Sequence, residues 1–200
     1  MAASTVYEME KQLRGAFVNL SQREQEWKAT RKEMSVEYIA ALSQKYKLTN
    51  DVNMEGDPLS DELPSLQADL KEIFYTNIER ERSVLLERLE KLRDICVEIN
   101  KQKQKIDESV RMMARDPAAC YRTQTRPSFF EMQEMYEDFC NSAWNEYCCL
   151  NLLLMSDWNK MADDSFTENW EKITSSKRDG ILAKLQEYLE GEMKEENLPS

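Results

Sequence analysis

Glu131, Glu134 and Glu137 recur every three residues, a spacing that gathers carboxylates on one helical face and suits metal ligation or acid–base work. A di-iron carboxylate bundle has that layout but completes it with Glu-x-x-His motifs, and the chain contains no histidine. The same lack removes Ser-His-Asp and Cys-His nucleophilic arrangements and every Cys/His zinc module. The five cysteines (Cys96, Cys120, Cys140, Cys148 and Cys149) include no Cys-x-x-Cys pair. An odd count with two neighbours adjacent fits reduced thiols better than a disulfide framework. Cys148 and Cys149 fall mid-helix with no activating base, so packed, inert thiols are expected. Only 4 glycines occur, and none forms a phosphate-cradling loop. No catalytic, cofactor-binding or metal-ligating residue is expected, and the chain reads as a non-enzyme.

The residues left to carry function are those that bind. Residues 128–170 hold nine acids against Lys160 alone, so most of the net charge of −11 lies in one stretch. The bland explanation is a solvated outer face. The sharper one is a docking surface for a basic partner, whose approach such a field would accelerate. Three of the four tryptophans (Trp144, Trp158 and Trp170) also fall there. Trp144 lies off the apolar stripe of its helix and suits an exposed anchor. Trp144 with Glu134, Glu137 and Asp138 is therefore the candidate partner-binding set. A basic run, Lys101, Lys103, Lys105, Arg111, Arg115, Arg122 and Arg126, suits a helix C-terminus and its negative dipole end. With Tyr121 the one aromatic interleaved, and with a pI near 4.7, direct nucleic-acid binding is disfavoured.

Long helices must position these groups. Val6, Leu13, Leu20, Trp27, Met34 and Ala41 repeat every seven residues, which predicts one helical segment over about 5–47. Ile78, Leu85, Leu92, Ile99, Ile106 and Met113 do the same within 64–115, and Leu66, Leu70 and Ile73 extend that stripe. Pro64 suits the first turn of this helix. Asp116-Pro117 ends it. Ser128 and Glu131 form a capping box for a third helix over 128–161, and Ser165 with Glu168 suggests another before a short helix bearing Phe166, Trp170 and Ile173. A last helix is expected over 176–193. The fold expected is all-α: an elongated antiparallel bundle with two long heptad-patterned helices, a third long helix and short C-terminal helices. It is read as a single domain over 1–193, with an acidic loop at 48–63, a connector at 116–127 and a flexible tail at 194–200. An intermolecular coiled coil stays open as the alternative use of the heptads. Glu8 and Glu10 leave no apolar leader, and the longest apolar run, around 148–155, falls short of the ~18 residues that span a bilayer. A soluble, intracellular protein is expected.

These residues together resemble a known family. Leu63-Pro64-Ser65-Leu66-Gln67-Ala68-Asp69-Leu70, Val84-Leu85-Leu86-Glu87-Arg88-Leu89, Leu92-Arg93-Asp94-Ile95-Cys96, Ser156-Asp157-Trp158, Phe166 with Trp170-Glu171-Lys172-Ile173, and Ile181-Leu182 are similar in order and spacing to the AIRIM family of ribosome maturation factors. The leading segment around Leu13, Phe17 and Trp27 also fits, so the resemblance spans nearly the whole chain. It implies a non-catalytic adaptor subunit that joins AAA ATPase subunits and a second small helical adaptor protein. The activity implied is late cytoplasmic maturation of the large ribosomal subunit, with release of a shuttling factor from the pre-ribosomal particle. Handling of replication proteins on chromatin, and hence a cytoplasmic and nuclear location, is implied too. Asn145-Glu146-Tyr147-Cys148-Cys149-Leu150-Asn151 departs from the family's basic run in the third helix, so no electrostatic contact of that helix, RNA contact included, is carried over from the family. A structural coiled-coil protein of the cytoskeleton or kinetochore is the competing function. A stable parallel homodimer would favour it.

Overall fold

Apolar residues spaced by three and four become helix throughout the described chain. The structure is a computed structural model and describes residues 2–51, 65–113, 127–156, 158–173 and 178–196. The helices are α1 (Ala2–Glu33), α2 (Val36–Asp51), α3 (Leu66–Met113), α4 (Phe129–Ser156), α5 (Asp164–Ile173) and α6 (Arg178–Glu196), with a 3-10 turn at Trp158–Lys160. No strand occurs among the described residues, and the all-α expectation holds. Most of the 48–63 loop and of the 116–127 connector, with Pro64 and Asp116-Pro117, lies outside them.

The first expected helix is two helices. Ser35 breaks it: its hydroxyl accepts the Tyr38 amide at 3.3 Å and its carbonyl accepts the Ile39 amide at 3.0 Å, an N-cap that starts α2 anew. The last carbonyl before the break, that of Met34, accepts the Trp170 indole N–H at 3.1 Å. The restart changes the buried face. Leu13, Leu20, Trp27 and Met34 are buried, but Ala41 is exposed, and Ile39 and Leu42 are buried in its place. On α3 the heptad positions Ile78, Leu85, Leu92, Ile99 and Ile106 are all buried. The N-terminal extension of that stripe is not: Leu66 and Leu70 are half-buried and Ile73 is exposed.

Both halves of the Ser128 capping box form. Glu131 accepts the Ser128 amide at 2.7 Å, and the Ser128 hydroxyl accepts the Glu131 amide at 3.2 Å. The second expected box is displaced. Helix α5 opens at Asp164, one residue before Ser165, the Phe166 amide donates to the Asp163 carbonyl at 3.1 Å, and Glu168 approaches Lys172 at 4.0 Å instead.

The chain divides into two compact units, to both of which α1, α3 and α4 contribute. One comprises Met1–Lys28, Arg93–Glu146 and Ser176–Ser200. Within it α1 and α3 run antiparallel, with the Ser109 hydroxyl donating to Gln12 at 3.0 Å. Helices α3 and α4 are also antiparallel: Gln133 donates to Asp107 at 2.6 Å and Lys103 meets Glu137 at 3.2 Å. Phe17, Leu20, Trp27, Ile99, Met132, Tyr136 and Phe139 fill its core. The other unit comprises Ala29–Leu92 and Tyr147–Ser175. Its α2 lies antiparallel to α3: Arg88 stacks over the Tyr38 ring at 5.3 Å, and further along Lys45 approaches Glu81 at 4.0 Å. It is also antiparallel to α5: Lys47 pairs with Asp164 at 2.6 Å, while Trp170, further along α5, bonds to Met34 just before α2 begins. The Ser43 hydroxyl, buried, donates to the Met161 carbonyl at 2.6 Å.

Candidate functional site

The inward face of α4 carries Met132, Tyr136, Phe139 and Ala143, each buried. At about 100° per residue the opposite face carries Phe130, Glu134, Glu137, Asp138, Asn141 and Trp144, and all six are exposed. The four expected binding residues therefore share one face of one helix. Trp144 is 45% exposed and Phe130 38%, and at 1.5 Å rise they stand about 20 Å apart with the acids between them. Phe130 is the residue the sequence reading passed over. The signal was present, since it falls out of phase with the Phe129, Met132, Tyr136 stripe. This is a face with an aromatic at each end and carboxylates between, suited to anchoring in a partner's apolar pockets while its charge orients the approach.

The three acids are not equivalent. Lys103 bridges Glu137 at 3.2 Å and Asp107 at 3.3 Å. Burial pulls the Lys103 ammonium downward, but the hydrogen bonds and charges of Glu137 and Asp107 outweigh it and hold it above its ordinary value. Glu137 is thus committed to fastening α4 to α3, and the outward charge rests on Glu134 and Asp138. Part of the basic run is also spoken for: Lys101 pairs with Glu98 at 2.7 Å, while Arg115, Arg122 and Arg126 lie outside the described residues.

One acid of the 128–170 stretch is not on the surface at all. Glu146 is 9% exposed and accepts from Arg178 at 2.8 Å, and Glu24, 3% exposed, accepts from the same guanidinium at 2.7 Å. Arg178 opens α6 and stacks over the Trp27 ring at 4.5 Å, a cation–π contact in a desolvated site. Two carboxylates thus share one guanidinium, and the positive charge of Lys28 also acts on Glu24. Burial holds the Glu24 carboxyl above its usual range even though Arg178 opposes the shift. This cluster joins residues more than 150 positions apart, and no local pattern announces such a pairing.

The thiols divide. Cys96 is buried, Cys140 and Cys148 are half-buried and Cys149 is exposed, so the expectation of packing fails for Cys149. Burial pushes the Cys140 thiol up to about 12, which keeps it protonated and poorly nucleophilic. Among the described residues no group of three or more Cys, Asp or Glu is arranged to hold a metal ion. Nor is any described helix long and apolar enough to cross a membrane.

The model of the ribosome biogenesis protein C1orf109-like family matches residues 7–188. No curated protein matches the chain. A match over that much of the sequence places the chain in this family of ribosome biogenesis proteins.

Proposed function

We propose that this member of the C1orf109-like ribosome biogenesis family is a non-catalytic adaptor, which docks AAA ATPase subunits and a second small helical protein for late maturation of the large ribosomal subunit. The observation that carries the proposal is the outward face of α4, where Phe130 and Trp144 flank Glu134 and Asp138. Aromatic anchors rimmed by charge are the composition of a binding hot spot. The α3 seam supports an adaptor over a homodimeric coiled coil: Leu85 and Leu92 are fully buried and Ile99 is 2% exposed, so that seam is not open to a parallel partner. The same adaptor would act on the pre-ribosomal particle through the ATPase it recruits, in the cytoplasm and nucleus, and a chromatin role would use the same assembly. Affinity purification of the chain at native expression tests the proposal. An AAA ATPase should co-elute with the wild type, and its recovery should fall in Trp144→Ala with helical content unchanged. No co-eluting ATPase, or equal recovery from both, would overturn it.

A further inference from the structure

Among the described residues of the second unit, part of the apolar surface is left uncovered by its helices. Between the C-terminal turns of α2 and the N-terminal turns of α3 runs a groove of about 360 Å³, floored by Ile78 and walled by Leu48 and Phe74. Ile78 is 3% exposed, but Leu48 is 61% and Phe74 43% exposed. Ile73, next to Phe74 in the sequence, is 56% exposed. The heptad seam of α3 thus continues N-terminally past the point where α2 covers it. Scattered exposed leucines are ordinary on a protein surface, but several at the mouth of one groove mark a contact surface.

The rim says what kind of contact. Lys45, with 63% of its side chain exposed, reaches Glu81 only at 4.0 Å. Glu81 in turn accepts the Tyr38 hydroxyl. Arg80 donates to the neutral Asn77 amide at 3.4 Å, a bond that leaves its positive charge in place. Among the described residues that line the groove, two cations and one carboxylate give a positive excess on a chain whose net charge is −11. We infer that the groove is a docking site for an amphipathic helix of another protein, one that lays apolar side chains at i, i+3/i+4 and i+7 against Leu48, Phe74 and Ile78 and points carboxylates at Lys45 and Arg80. A helix between two antiparallel helices is a recurrent mode of recognition. The carboxylate requirement is local, because the field of the whole chain repels an acidic ligand. This site lies on α2 and α3 and stands independently of the α4 face.

The test uses the full chain and two fluorescein-labelled synthetic helices of about eighteen residues, long enough for the i to i+7 anchors of this mode. One carries leucines at that spacing with flanking glutamates, and its twin has lysine for each glutamate. In fluorescence anisotropy the glutamate helix should bind at least about tenfold tighter than the twin, with the preference shrinking as salt rises. Arg80→Glu and Leu48→Ser should each abolish it, and Trp144→Ala should leave it unchanged. Leu48 and Arg80 are exposed, so both variants should keep the wild-type circular dichroism; Phe74→Ser replaces either one that does not. Equal binding of the two helices, or binding unchanged in the groove variants, overturns the inference. So does a sedimentation mass that doubles in the wild type and reverts in those variants, which would assign the groove to a second copy of this chain.

Discussion

A single guanidinium decides much of how the first unit holds together. Arg178 is 1% exposed, with Glu24 and Glu146 as its carboxylate partners. Removing one member of a buried ion cluster costs about 3–5 kcal/mol because the remainder stays buried without compensation. Arg178→Met should therefore lower the unfolding free energy by that amount, a large part of the ~5–15 kcal/mol a domain has, read as a fall in denaturant midpoint. A loss within error would mean that α6 is not anchored there. Glu24→Gln should behave differently, since it removes a charge that burial disfavours and keeps an acceptor for Arg178. The raised Glu24 value means that the folded state binds the proton more tightly than the unfolded chain. That contribution is complete below the ordinary value of 4.5 and is lost as pH rises through the higher folded value. Wild type should consequently lose stability relative to Glu24→Gln as pH is raised above about 4.5. A difference that stays flat, or that grows in favour of wild type, would contradict this. Little of it was legible in the sequence. Glu146 reads like its acidic neighbours until the fold brings Arg178 beside it.

At the scale of elements, periodicity carried most of the information, because a helix with an apolar seam has few other places to put it. Leu85, Leu92 and Ile99 were identifiable as core from spacing alone, and the capping box at Ser128 from four residues. The break at Ser35 escaped because Met34 and Ala41 keep the heptad spacing across it. A serine followed by Val36-Glu37 is an N-cap signal that an unbroken heptad overrode. Ser35→Ala should cost about 1 kcal/mol, the usual value of a lost N-cap, measured as a shift in urea midpoint with an unchanged slope. No shift would show that tertiary contacts, such as the Trp170 bond to Met34, hold the break by themselves. Leu85→Asp should be far more damaging. An unpaired carboxylate in a site with no exposed surface costs several kcal/mol, so the variant should aggregate or melt well below the parent. Parent-like melting would remove Leu85 from the core.

For the molecule as a whole, the net charge of −11 is a long-range quantity, and an aromatic anchor, the role proposed for Trp144, is a short-range one, so the two should separate in kinetics. The sequence revealed both by composition, but could not show that Lys103 claims Glu137 or that Glu146 is buried. The charge presented by the outward face of α4 is therefore smaller than a count of acids suggests. Lysine at Glu137 would oppose Lys103 and disturb the α3–α4 pairing, which makes it an unsuitable probe of docking. Reversing Glu134 and Asp138 together changes the field, and neither forms an ion pair with another described residue. If the partner approaches this face, Glu134→Lys with Asp138→Lys should lower the association rate, most strongly at low salt, where screening lengths are longest. Trp144→Ala should leave association nearly unchanged and speed dissociation, by as much as the few kcal/mol a central hot spot contributes. Surface plasmon resonance against the ATPase complex proposed as the partner, at two ionic strengths, reads both rates at once. Opposite assignments, with the tryptophan setting association and the acids dissociation, would mean that Trp144 meets the partner first and that Glu134 and Asp138 are desolvated in the complex. Rates unchanged in both variants would leave the α4 face as solvated surface and move the docking site elsewhere.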